Sequence, residues 1–187
     1  KNTLFWFLKA YTINSDDFQT LNSLVSGHMM SNDSKSAITA VSDYINRFPR
    51  HADAYGLLGQ LQNRAGNPLE AIKNYKLAVE YSIKRGKALL ILANAQLQVN
   101  DRVSANKTLQ KAVAWDPELN EAFVALIQMA ITDRDKTNGL SLIKHLRTIS
   151  DENDPAPDIL SGDLYRTLKD YGAAEKAYLA ALKIGDN

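Results

Sequence analysis

The chain contains no cysteine among its 187 residues. Disulfides, thiolate metal sites and cysteine nucleophiles are therefore excluded together. The compartment stays open, because a disulfide-free chain suits cytosol and periplasm alike. Long apolar runs are missing as well, and nothing approaches the roughly 18 consecutive apolar residues of a membrane-spanning helix. The run Leu4–Leu8, close to the start, also falls short of the roughly 7–15 apolar residues of a signal-peptide core. An excess of one charge is lacking: 22 basic and 21 acidic residues leave a net charge of +1, spread along the chain. Binding to a phosphate backbone needs a concentrated basic face, so nucleic acid is not an expected partner.

Chemistry-bearing motifs are equally scarce. No Gly-rich phosphate loop, Gly-x-Ser-x-Gly elbow or His-Glu-x-x-His occurs. His28, His51 and His145 lie far apart and share no metal-ligand spacing. His28 falls on the inner face expected of its helix, where it could contact a ligand; His51 and His145 suit capping or solvated roles. The acidic stretch "SDENDPAPD" before the last helix pair lacks the alternating oxygens and Gly of a calcium loop and reads as helix punctuation. No catalytic residue, metal or cofactor is expected, so the protein is not expected to be an enzyme.

What the sequence does have is a period. In "AYGLLGQLQNRAGNPLEAIKNYKLAVEYS", Tyr55 is followed by Leu58 and Gly59, then by a Gly66–Asn67 turn, then by Ala71, Tyr75 and Ala78 at helical spacing. Equal steps, each the distance from Ala37 to Ala71, carry this pattern along the chain with one extra residue before the last. Position 20 of each step is small: Ala37, Ala71, Ala105, Gly139, Ala174. Position 24 is bulky: Val41, Tyr75, Leu109, Ile143, Tyr178. A small residue lets two helices approach, and a bulky one fills the groove between them. Position 16 reads Asp33, Asn67, Asp101, Asp135, Asp170, the residue types that cap a helix N-terminus. Position 15 reads Asn32, Gly66, Asn100, Arg134, Lys169. Asn and Gly there suit a left-handed helix end, whereas Arg134 and Lys169 fit less well.

These residues resemble the tetratricopeptide repeat (TPR), a helix–turn–helix with a period of about 34 residues. The resemblance implies an all-α fold, a right-handed TPR superhelix (α-solenoid) of antiparallel helix pairs with about eleven helices. It divides the chain into a half-repeat over 1–17 and repeats over 18–51, 52–85, 86–119, 120–153 and 155–187, a single array fragment. Counting back one repeat places the opening run "KNTLFWFLKAY" on the second helix of a preceding repeat. It therefore reads as a cut edge, with Leu4, Phe5 and Trp6 partly uncovered and packed on residues 18–31 or on a copy of themselves in a homodimer.

In TPR arrays the first helix of each pair lines a concave channel, and positions 2, 5, 9, 12 and 13 point into it. Carried onto this chain, those positions nominate a peptide-binding set: Asn22, Ser26, Gln60, Asn63, Arg64, Leu90, Asn94, Gln98, Val124 and Gln128. Carboxamides donate and accept, so such a ladder can pair with the backbone of an extended peptide while apolar positions hold its side chains. A water-lined channel would carry the same polar ladder without any partner. Position 5 has no Lys, which disfavours clamping of an acidic C-terminus.

The expected function is a noncatalytic scaffold that binds an extended, mostly uncharged protein segment. The alternative is a regulatory or substrate-docking region of a larger enzyme, such as a glycosyltransferase or exopolysaccharide synthase. Helical-repeat RNA binding would need a basic groove, which the charge balance denies. "GKALLILANAQLQVNDRVSANKTLQKAVAWDPELNEAFVALIQMAI" with "ILSGDLYRTLKDYGAAEKAYLAAL" also resembles bacterial TPR lipoproteins of exopolysaccharide and PEP-CTERM sorting systems. That resemblance implies a periplasmic or membrane-tethered protein with its lipid anchor outside this sequence; a cytoplasmic one is the alternative.

Overall fold

A computed structural model describes residues 2–185, with side chains described for residues 3–184; Lys1 and the last two residues of the expected final repeat, 186 and 187, lie outside the described residues. Eleven α-helices and no strand occur among the described residues: α1 (Asn2–Ile13), α2 (Phe18–Met30), α3 (Ser34–Arg47), α4 (Ala52–Arg64), α5 (Pro68–Tyr81), α6 (Arg85–Gln98), α7 (Arg102–Trp115), α8 (Asn120–Asp133), α9 (Lys136–Ile149), α10 (Ala156–Thr167) and α11 (Tyr171–Gly185). The chain divides into two compact units, residues 1–102 and 103–187. The first holds α1–α6, and the second holds α8–α11 with all but the first residue of α7.

The turn inside each helix pair is the same five times over. Asn32, Gly66, Asn100, Arg134 and Lys169 all have φ between 55° and 81°. Across each turn the next residue's N–H reaches back to a carbonyl five positions earlier, as in Asp33 to His28, Asn67 to Gln62 and Asp135 to Ala130, each at 2.9 Å. This is the glycine-type helix C-terminus, which satisfies carbonyls that the helix leaves over. Arg134 and Lys169, which fit that role less well by residue type, adopt it all the same. The left-handed conformation costs a side-chain-bearing residue roughly 1–2 kcal/mol, and the repeated bond pattern holds it there.

Expected caps form at the starts of α3, α9 and α11. Asp33, Asp135 and Asp170 accept hydrogen bonds from the N–H groups of Ser36, Asn138 and Ala173 at 3.0, 3.1 and 3.2 Å. Asn67 makes no such bond; its side-chain amide donates to Gln62 Oε1 at 3.1 Å instead. Pro68 at the first helical position needs no partner for an N–H it does not have.

In the first unit, Leu21, Val25, Ala37, Val41, Tyr44, Ala54 and Leu61 form one buried cluster, and Ala71, Tyr75, Leu92 and Ala95 form another. α1 seats on α2 through Leu4 and Phe7, whose side chains lie against Gly27. In the second unit the core is Phe123, Ile127, Ile143, Leu146, Leu160 and Leu164. The stretch read as punctuation carries a further tie: Arg147 donates twice to the buried carboxylate of Asp158, at 2.7 and 3.1 Å.

Candidate functional site

Within the first unit, the first helices α2, α4 and α6 border a cavity of about 360 Å³. Its depth is apolar. Leu57 and Gly56 of α4, Ala88 of α6, and the buried Tyr75 and Ala78 of α5 all line it. Burial holds the Tyr75 phenol above its usual value of 10.0, so its ring acts as a neutral wall. A Cβ added at Gly56 would meet nothing within 4 Å, so the floor at this point is open space.

The rim is polar and of both charge signs. Asn22 and Gln60 contribute carboxamides, Asp53 a carboxylate, and Lys84 and Lys87 ammonium groups; the exposed Ile91 adds an apolar edge. An apolar floor with a few convergent polar groups is the usual make-up of a binding cleft.

The structure brings only part of the nominated set together. Asn22 and Gln60 line the cavity. Asn63 and Gln98 meet each other, with Asn63 Nδ2 donating to Gln98 Oε1 at 2.9 Å. The Ser26 hydroxyl donates to the Asn22 backbone carbonyl at 2.9 Å and is held within its own helix. Asn94 and Arg64 are exposed but do not border the cavity, and Leu90 is half-buried away from it. Its neighbour Ile91 lines the cavity. Val124 and Gln128 lie on α8 in the second unit, half-buried and exposed respectively. Asp163, at the equivalent ladder position of α10, accepts from the Tyr178 hydroxyl at 2.8 Å and from Arg166 Nη2 at 3.2 Å.

Sequence reasoning passed over Asp53, Lys84, Lys87, Ala88 and Ile91. Asp53 and Lys87 occupy position 2 of their repeats and were within reach of the channel rule. Lys84, Ala88 and Ile91 depend on how α6 is rotated, which the period alone does not fix.

The histidines stand elsewhere. His28 is outside the groove; it borders a separate cavity of about 760 Å³ with Leu8, Tyr11 and Arg47. Its Nδ1 is 3.5 Å from Asp33 Oδ2, a Coulombic contact without hydrogen-bond geometry. His51 caps α4 by accepting from the Ala54 N–H at 3.3 Å and lies against Phe18, ring centres 4.6 Å apart. His145 lies on the Phe123 ring at 4.5 Å. Among the described residues no group of three or more His, Cys, Asp or Glu side chains is placed to hold a metal ion.

The tetratricopeptide repeat profile matches residues 52–82 and 159–184, so the first match includes all of α4 and α5 beside the cavity. No curated protein matches the sequence. Solved structures do match in fold. MamA is 19% identical with a TM-score of 0.72 over 87% of this chain and 95% of its own. YrrB, described as a TPR protein with an unusual peptide-binding site, is 17% identical with a TM-score of 0.69 over 97% and 93%. BtubC from P. vanneervenii is 16% identical with a TM-score of 0.76 over 99% and 87%. At these identities the likeness establishes the fold: antiparallel helix pairs of the TPR solenoid type.

Proposed function

We propose that this chain, built of TPR helix pairs, is a noncatalytic protein-interaction scaffold whose first-unit groove takes an extended, mostly uncharged peptide segment. The observation that carries the reading is the cavity between α2, α4 and α6. It combines an apolar floor at Gly56, Leu57 and Ala88 with carboxamides from Asn22 and Gln60 at its edge. A peptide laid there would place an apolar side chain over Gly56, and its backbone would pair with the carboxamides. Asp53 offsets one of Lys84 and Lys87, so the rim carries a single excess positive charge and does not call for a strongly charged occupant. The peptide-binding site attributed to YrrB supports a peptide as the class of ligand. The resemblance of residues 86–131 and 159–182 to envelope-associated TPR proteins supports placing the scaffold within a larger bacterial envelope or secretion-linked protein.

Gly56→Leu tests the reading, because a Cβ there would meet nothing within 4 Å and the rest of the side chain has the cavity to occupy. A displayed library of linear peptides is selected on the wild-type chain, and binding of the selected peptides is measured by fluorescence anisotropy. Loss of at least tenfold in affinity on Gly56→Leu, with unchanged helicity, is expected, as is loss on joint replacement of Asn22 and Gln60 by Ala. Undiminished binding by Gly56→Leu would sink the groove assignment.

A further inference from the structure

Tyr75 and Tyr178 hold the same place in their repeats, but their hydroxyls do not reach the same kind of partner. Each ring lies on a glycine of its own pair's first helix, Gly59 or Gly162, and in both cases Cδ1, Cε1 and Cζ are the atoms nearest to where a Cβ would stand. In the second unit the residue after the glycine is Asp163. Its Oδ1 accepts from the Tyr178 hydroxyl at 2.8 Å and from Arg166 Nη2 at 3.2 Å. In the first unit the residue after the glycine is Gln60, which lines the cavity together with Tyr75. Asn63, which stands where Arg166 does, is bonded to Gln98. The Tyr75 hydroxyl makes no hydrogen bond among the described residues, and burial is the one influence that raises its phenol. Tyr75 is only 5% exposed, yet its oxygen is not sealed in. Among the described residues the side-chain atoms enclosed without a partner are His28 Nδ1, Gln96 Oε1 and Asn120 Oδ1. The Tyr75 hydroxyl therefore opens on the cavity it borders, as a neutral donor lacking an acceptor. A largely buried hydroxyl left in this state costs free energy that an incoming acceptor returns as affinity.

The surroundings select among acceptors. A backbone carbonyl, a carboxamide or a carboxylate can each take the proton of a tyrosine hydroxyl. Lys84 and Lys87 border the same cavity against the single carboxylate of Asp53, which leaves one positive charge over. The second unit pairs the equivalent hydroxyl with a carboxylate and a cation together. A hydrogen bond onto a carboxylate is roughly twice as strong as one between neutral groups. Gln60 beside Tyr75 can donate to the second oxygen of the same carboxylate. One carboxylate thus uses the hydroxyl, the amide and the excess charge at once, and a neutral acceptor leaves the charge unanswered.

We propose that the bound peptide carries one internal Asp or Glu whose side-chain carboxylate accepts from the Tyr75 hydroxyl, with Lys84 and Lys87 answering its charge, as Asp163 does beside Tyr178. The proposal rests on the groove reading and adds a single acidic residue next to the apolar one over Gly56. The probe is the set of linear peptides selected from a displayed library on the wild-type chain. Each is also made with its acidic residue changed to Asn or Gln, and with its C-terminus amidated. The selected peptides are expected to share an acidic residue, and the neutral forms should bind about tenfold more weakly, the usual loss for a hydrogen bond onto a charged group. Tyr75→Phe removes the hydroxyl and keeps the ring on Gly59, so its urea midpoint should not fall. It should weaken the acidic peptides by about tenfold and the neutral forms by a clearly smaller factor. Lys84→Gln/Lys87→Gln should weaken the acidic peptides and flatten their salt dependence. Amidation should change nothing, which separates a side-chain carboxylate from a chain terminus. Equal binding of acidic and neutral peptides, equal loss of both on Tyr75→Phe, or loss on amidation would each overturn the proposal. Gly56→Leu keeps the two readings apart. Where it abolishes binding in those cases, the groove stands and the carboxylate is lost; where it binds undiminished, or where the library yields no binder, both fall.

Discussion

Gly59 and Tyr75 are sized to each other: a Cβ placed on Gly59 would lie 2.5 Å from Cε1 of the Tyr75 ring. The same pairing recurs in the second unit, where the Tyr178 ring fills the space that a side chain at Gly162 would need. Other repeats solve the contact differently. Val25 and Val41 share one cluster in the first unit, and Ile127 and Ile143 share the core of the second. Gly is matched with Tyr, and branched aliphatic residues with one another, so the space between the helices of a pair is divided differently from repeat to repeat.

Gly59→Ala is accordingly expected to destabilise the first unit by about 1–3 kcal/mol, the usual cost of overpacking a filled core. The division of volume offers a rescue. Gly59→Val combined with Tyr75→Val recreates the pair seen at Val25 and Val41. Urea midpoints should show the double variant more stable than the sum of the two single losses. Strict additivity would mean that the two residues do not share this space.

The turn residues Arg134 and Lys169 give a prediction of opposite sign. Both hold φ near 60°, at 55° and 63°, where glycine carries no Cβ penalty. Arg134→Gly and Lys169→Gly should each raise stability by about 0.5–1 kcal/mol, because the strain relieved exceeds the extra entropy of glycine in the unfolded chain. Thermal midpoints of the single variants check this, and a lowered midpoint at both sites would refute it.

Asp33 couples a helix cap to pH. Hydrogen bonds from the Ser36 side chain and backbone N–H, aided by nearby His28, hold its carboxyl below the usual 3.8. A depressed folded-state pKa contributes stability that is present above the unfolded value and is lost as pH falls through the lower folded value. Asp33→Ala should therefore melt below wild type at neutral pH, with the gap closing as the pH is taken below about 4. A gap that stays constant into acid would show that the carboxylate charge is not what caps α3.

The helices and their turns were legible because the repeat period fixes which residues must be small, bulky or capping, and five copies state the rule five times. The first-unit cavity was legible only in part. Asn22 and Gln60, nominated from the period, line it, and so does Ile91, the neighbour of the nominated Leu90. Adjacent residues on a helix point about 100° apart, and α6 starts after Lys84 with no side-chain cap bond to set its phase. His28 was placed on the inner face by the same averaging, whereas the structure sets it beside Leu8 and Tyr11. Tertiary rotation of a helix is decided by packing against neighbours, and a one-residue error in facing is invisible to a periodic pattern.

Asn63 and Gln98 show what that difference means for function. Both belong to the expected ladder, yet they bond to each other across α4 and α6 at 2.9 Å. This bond links two first helices of the first unit, and we expect the pair to brace them rather than to pair with a ligand backbone. A double-mutant cycle with Asn63→Ala and Gln98→Ala is expected to give a coupling of about 0.5–1 kcal/mol, at the low end for a hydrogen bond because the pair is open to water. Peptides selected on the wild-type chain should bind these variants within about twofold of wild type, a change of less than about 0.5 kcal/mol. Replacement of Gln60 in the same assay should weaken binding much further. Should Asn63→Ala cost as much affinity as Gln60→Ala, the two amides would have to part and turn to the ligand, and the cavity between α2, α4 and α6 would be only one portion of a longer binding track.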